Sequence, residues 1–144
     1  MADYQQLYQA FLAGSDKLQI YDQGDLVFSS DREMLFPLLE YLAAKSSAHK
    51  DVTVFDKIMG NAAALLCIMA RSREVYSPLG SELAVKTLDS YGIVHHIANV
   101  VPYIQRPGTT EMCPMEKLST GKSPEEFYGV LRQAKNDGNH RGEC

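Results

Sequence analysis

The run Val52-Thr53-Val54-Phe55-Asp56-Lys57-Ile58-Met59-Gly60-Asn61, which opens directly onto the apolar stretch Ala62 to Ala70, constrains this chain more than any other segment. Its first four residues are β-branched or aromatic and favour an extended strand. The stretch after Asn61 has no charged or amide side chain up to Ala70. A helix formed there is apolar on every side and has to be buried. In open α/β sheets, ligands sit where a strand ends and the next helix begins. A strand that closes on a carboxylate, an ammonium and a glycine before such a helix therefore locates a candidate site, without naming a reaction.

The flanking patterns supply the other elements. Tyr4, Leu7, Tyr8 and Phe11 recur at helical spacing and predict a short amphipathic helix closed by Gly14. Lys17 to Tyr21 and Leu26 to Ser29 read as strands joined by the turn Asp22-Gln23-Gly24-Asp25. From Asp31 to Ala44, Leu35, Leu38, Leu39 and Leu42 mark a helix with Pro37 in or near its first turn. Asp51 to Phe55 is the third strand and Glu74 to Ser77 a short fourth. Ser81 to Tyr91 is a helix ended by Gly92, and Ile93 to Val101 is a fifth strand. This alternation implies parallel neighbours joined by right-handed crossovers. A loop over 102–112 precedes a short helix at Cys113-Pro114. Ser123-Pro124-Glu125-Glu126 caps a last helix, and the tail Asn136 to Cys144 is expected to fray.

A chain of 144 residues, 45% of them apolar, fits one domain over 1–144, with an N-terminal helix within 1–15 and a core over 17–135. Lys and Arg number 14 against 18 Asp and Glu, and the basic residues are dispersed. That argues against a duplex nucleic acid partner, which calls for a basic stripe. The start carries no basic leader with an apolar core. The apolar run of Ala62 to Ala70 is well short of the roughly 20 residues a membrane helix needs, so a cytoplasmic protein is expected. Cys67, Cys113 and Cys144 are widely separated, and reduced thiols are expected.

Three segments in order carry a resemblance: Asp56-Lys57-Ile58-Met59-Gly60 with Ala62-Ala63-Ala64-Leu65-Leu66; Ser81-Glu82 with Ala84 and Leu88 up to Gly92-Ile93; and Cys113-Pro114-Met115-Glu116-Lys117. The chain resembles the prokaryotic domain-of-unknown-function family numbered eighteen ninety-three, of the cytidine deaminase-like fold superfamily, over Lys17 to Phe127. The resemblance implies a three-layer α/β/α domain whose mixed five-stranded sheet begins with a β-hairpin and continues with parallel strands. Family members tend to carry a basic residue after the Asp-Lys-x-x-Gly core and a glycine shortly before Pro-Leu-Leu. Asn61 and Met34 stand at those places here.

Zinc deaminases hold their metal with a His-x-Glu helix start and a Pro-Cys-x-x-Cys pair, the Glu shuttling protons to a zinc-activated water. In this topology those motifs would fall at Asp31-Arg32-Glu33 and Asp56-Lys57-Ile58-Met59, where neither is found. The chain is therefore not expected to be a zinc-dependent deaminase, and no metal or cofactor is assigned. Glu33 reads as a solvated first-turn residue favoured by the helix dipole.

Asp56 and Lys57 are the leading candidates, as ligand contacts or as a helix cap beside a solvated lysine. Gly60 permits a close approach of helix to sheet or of backbone to ligand. Ser81 and Glu82 either cap their helix or face the same edge. Ser30 has the same two options for the first main helix. Cys113 is either a thiol cap, with Glu116 reaching back to the free amides, or a helix-end nucleophile. His95 and His96 alternate on their strand, and Arg106 is a candidate anion clamp or a surface ion pair. Two functions remain open. One is an enzyme or binder of a small anionic, nucleotide-like molecule, with Asp56, Lys57 and Cys113 as the catalytic candidates. The other is a non-catalytic regulatory or oligomerisation domain, with the tyrosine-rich face of the first helix as a docking surface. The resemblance to the deaminase-like superfamily implies a homo-oligomer in either case.

Overall fold

A computed structural model of the chain describes residues 3–44 and 48–136, the last three without their side chains. The proposed tail lies almost wholly outside them. Among the described residues the order is α1 (Tyr4–Ala13), β1 (Leu18–Asp22), β2 (Asp25–Ser30), α2 (Phe36–Ala44), β3 (Val52–Asp56), α3 (Asn61–Met69), β4 (Ser72–Ser81), α4 (Glu82–Ser90), β5 (Val94–Val101), α5 (Pro114–Ser119) and α6 (Pro124–Asn136).

The sheet has five strands in the order β2-β1-β3-β4-β5. β1 is antiparallel to both β2 and β3, whereas β3, β4 and β5 run parallel. The mixed sheet and its flanking helices make the predicted α/β layering. Asp22 pairs with Asp25, so only Gln23 and Gly24 turn the hairpin, both at positive φ as a tight hairpin turn demands.

Alternation along the strands divides the core in two. Leu18, Ile20, Val52, Val54 and Val75 join one large cluster with α2, α3, α4 and α6. On the opposite face, Tyr21, Phe55 and Tyr76 pack beneath Tyr8 and Phe11 of α1. Phe55 is the hub there, with ring centroids of Tyr4, Tyr8, Phe11, Tyr21 and Tyr76 between 5.1 and 6.2 Å away. The tyrosine-rich face of α1 is thus turned onto its own sheet, not outward to a partner, because aromatic rings gain most where both partners leave water. As its composition demands, α3 is buried, with Ala62 to Cys67 at most 4% exposed.

Two elements differ from expectation. The first main helix begins at Phe36 instead of Asp31, because Met34 takes φ of 65°, a left-handed value that no helix interior tolerates. β4 extends to Ser81, well past Ser77. Pro78 argues against a central strand, since it lacks an N–H. It is accommodated because β3 has already ended: its last partner is Tyr76, and pairing on that side resumes only with Met59 beside Gly80. No helix among the described residues is long and apolar enough to cross a membrane.

Candidate functional site

A cleft of about 200 Å³ opens where β3 ends. Its walls come from the start of β1 (Lys17), the turn before α2 (Glu33, Met34, Leu35), the exit of β3 (Asp56 to Ile58), the head of α3 (Gly60, Ala62, Ala63), the loop after β5 (Ile104, Pro107) and the entry to α5 (Cys113, Met115, Glu116). Most of these side chains are apolar.

Asp56 continues the face of Val52 and Val54, towards the helical layer, and lines this cleft. The Ile58 N–H donates to its Oδ1 at 3.3 Å. Burial under the apolar walls pushes its carboxyl up to about 7, although the amides of Ile58 and Lys57 pull the other way. The acid therefore changes charge near neutrality.

Lys57 continues the opposite face. Its ammonium donates to the Gly14 carbonyl at 3.1 Å and stands 4.7 Å from the centre of the Phe11 ring. The residue contributes to the cleft wall, yet its charge is spent on tying the end of α1 to the sheet. Joint recognition of a ligand by the Asp56 and Lys57 side chains is not what the geometry provides, since successive strand residues point to opposite faces.

Glu116 is buried, at 2% exposed. Its Oε1 accepts from the Asn61 N–H at 2.6 Å and its Oε2 from the Ile104 N–H at 2.9 Å. It does not reach back to the amides of its own helix, as a capping box would. Instead it supplies the negative charge that the positive end of α3 favours, because the residue at the head of that helix, Gly60, has no side chain to cap it. Gly60 suits this close contact: a Cβ there would lie 3.1 Å from Ile104 Cγ1 and 3.2 Å from Glu116 Oε1, so both side chains would have to give by a few tenths of an ångström. The Asn61 amide extends the network, donating through Nδ2 to Ser119 Oγ at 2.9 Å and accepting from Thr87 Oγ1. Asn61 is thus a buried structural link.

Cys113 lines the cleft but makes no side-chain cap to α5, and it is disulfide-bonded, contrary to the reduced state expected. In that state it offers no thiolate. Cys67 is free and buried, its thiol pushed well up by burial and by the charge of Asp56. His95 and His96 pair with Asp89 at 2.9 Å and Glu74 at 2.8 Å, and neither lines the cleft.

Ser81, Glu82 and Arg106 also stand apart from it. Ser81 is fully buried and caps α4, accepting from the Ala84 N–H at 3.1 Å; Glu82 lies exposed in that helix's first turn. Arg106 is exposed on the loop beside Pro107. Ser30 accepts from the Arg32 N–H at 3.1 Å and makes a local turn outside the cleft. The structure therefore brings together Asp56, Lys57, Gly60, Cys113 and Glu116, and leaves out Ser81, Glu82 and Arg106. Lys17 and Met34 were missed as site residues. Lys17 reaches the cleft because β1 is antiparallel to β3, which sets Leu18 opposite Asp56. Its ammonium lies 3.8 Å from Glu33 Oε1. The signal for Met34 was the family glycine expected near it, which a left-handed position explains.

The family model described as Domain of unknown function (DUF1893) matches residues 8–134. The chain belongs to the DUF1893 family. Among solved structures, the crystal structure of a DUF1893 family protein (TM1506) from Thermotoga maritima is similar, with a TM-score of 0.82 and 24% sequence identity over 90% of this chain and 88% of that one. At that identity the likeness shows the fold alone. No curated protein matches. The DUF1893 fold thus supplies a frame for the cleft but no activity.

Proposed function

We propose that this DUF1893 domain binds a small, flat, nucleobase-sized molecule in the cleft at the end of β3, with the polar edge of the ligand turned to Asp56. The observation that carries this reading is an acidic side chain lodged among apolar walls in a cavity of about 200 Å³, with its carboxyl pushed up to about 7. Ionisable groups displaced in this way, in a concave and mostly apolar setting, concentrate at ligand sites. The hairpin followed by parallel strands supports treating the scaffold as a deaminase-like shell, put here to binding. Fold alone does not assign chemistry.

The anionic ligand expected from Lys57 and Arg106 has weaker support, because neither charge enters the cleft. Lys17 at the mouth is the cation within reach of a nucleotide's phosphate. The test is protein-observed NMR and thermal shift with free bases, nucleosides and nucleotides, run on the native chain and on Ile58→Trp, which fills the rim. Shifts clustered on Met34, Asp56 and Ala63 and lost in Ile58→Trp are the expected result. A library that moves no cleft resonance sinks the reading.

An assembly role keeps one specific observation in its favour. On the α1 side of the sheet, β5 leaves Val94, His96, Ala98 and Val100 exposed along an open edge. Apolar residues on an unprotected edge strand mark an association surface. Sedimentation of the native chain beside Val100→Lys tests it: a dimer that dissociates in the variant supports this role, and a concentration-independent monomer removes it.

A further inference from the structure

We infer that the cleft takes its ligand as an organic cation, a flat amidine or protonated amino-heterocycle whose charged N–H edge meets the Asp56 carboxylate. This rests on the reading of the cleft as a ligand site and specifies what that site selects.

The argument is one of charge and position. Three carboxyl groups stand in the cleft wall, Glu33, Asp56 and Glu116, against the ammonium of Lys17, which lies near Glu33 at the mouth. The Lys57 ammonium is on the far face, bonded to the Gly14 carbonyl. The positive end of α3 would ordinarily attract an external anion, but Glu116 already meets it. An incoming phosphate or carboxylate would face that buried carboxylate in a low-dielectric setting, where like charges repel most strongly. Deep in the cleft, the charge left for a ligand is that of Asp56.

The Asp56 oxygens also retain acceptor capacity. An ionised carboxylate offers about four lone-pair sites; the Ile58 amide takes up one through a long bond of 3.3 Å and the Lys57 amide also acts on the group, which leaves about two for a ligand. An amidinium presents two parallel N–H donors, the geometry that a carboxylate accepts best. Met34, Leu35, Ile58, Ile104 and Met115 supply apolar walls for the attached ring.

Binding is then linked to protons. The charged residues that share the cleft wall with Asp56 are Lys17 before β1, Glu33 before α2, Lys57 after β3, whose ammonium is bonded to Gly14, and Glu116 from α5, and the Cys67 thiol of α3 lies within its electrostatic reach. Asp56 itself loses its proton at about 7. A ligand that stays cationic throughout therefore binds the ionised form, about tenfold more tightly at pH 8 than at pH 6, with release of a proton near the lower pH.

The experiment is calorimetric titration of the full chain with benzamidine, its neutral isostere benzamide and the anion benzoate, at pH 6 and pH 8. Benzamidine is expected to bind in preference to both, with the tenfold pH dependence. Asp56→Asn and Asp56→Ser should abolish that dependence, whereas Lys57→Ala should keep it. Equal or tighter binding of benzamide or benzoate overturns the inference, as does a benzamidine affinity that is flat with pH. If nucleobases perturb the cleft while benzamidine does not bind, the charge assignment fails and the cleft reading stands. If nothing binds, both fail.

Discussion

Glu116 and Asn61 are 55 residues apart in the chain, yet the Glu116 carboxylate accepts the Asn61 backbone N–H at 2.6 Å inside the protein. With its other oxygen on the Ile104 N–H, the same side chain joins the head of α3, the entry to α5 and the loop after β5. These are three of the walls of the cleft. The contact fixes the shape of the site from behind and closes the end of α3 to external anions.

Removing this carboxylate should be costly. Glu116→Ala leaves two buried N–H donors without their acceptor, and each orphaned donor costs about 1–3 kcal/mol. The expected loss is roughly 3 kcal/mol in urea unfolding. Glu116→Gln, which keeps one acceptor oxygen, should lose less. A Glu116→Ala variant of native stability would mean that the network adds nothing to the fold.

Asp56 gives a pH signature in stability. Its folded pKa of about 7 lies above the ordinary 3.8 of an aspartate, so the folded state binds the proton more tightly than the unfolded chain. Stability from this group is fully present below pH 4, declines as the pH rises towards 7 and stays low above that. The shift corresponds to a penalty on the order of 4 kcal/mol when ionised, an upper bound that solvent entry reduces. Asp56→Asn cannot ionise, so it should raise the melting temperature at pH 8 and have little effect at pH 4. An equal change at both values would mean that the acid is not desolvated.

Met34 should tolerate replacement by glycine. At φ of 65° a side chain with a Cβ is strained by about 1–2 kcal/mol, part of which glycine returns as entropy of the unfolded state. Met34→Gly is expected to stabilise the domain by about 0.5–1 kcal/mol in chemical denaturation. A loss of stability would show that the exposed Met34 side chain contributes more by packing than its backbone costs.

Phe55 anchors the α1 face. It is fully buried among five other rings, and truncation of such a residue costs about 3–5 kcal/mol. Phe55→Ala should expose the amides of α1 to hydrogen exchange before those of α3, because α1 is held chiefly through this aromatic face. Simultaneous loss of protection in both helices would mean that the two faces unfold as one unit.

Lys57 separates the present geometry from the simpler picture in which it meets the ligand. Lys57→Ala should loosen the end of α1 near Gly14 while leaving ligand-induced shifts at Asp56 unchanged. Loss of those shifts would place its ammonium in the cleft after all.

Local patterning determined a good deal. The β-branched run of Val52 to Phe55, the all-round apolar stretch after Asn61 and the cap at Ser123 each specify an element through forces acting over a few residues. Ser123 does cap α6 as the motif predicts, and the structure adds the reciprocal bond to Glu126, the two at 3.1 and 2.9 Å making a capping box. So the order of elements, the burial of α3 and the strand end at which a cleft opens were legible. Tertiary structure decided what each side chain at that edge is used for. Asp56 faces the cleft and Lys57 faces α1 because the strand alternates, but which face holds the cavity depends on where α1 and α3 dock. Lys17 enters through the antiparallel register of β1 on β3, and Glu116 through a contact that spans 55 residues of the chain. Periodicity acts over one or two turns, whereas register and docking are set by contacts between distant segments. The occupants of this cleft wall were therefore settled only when the chain closed on itself.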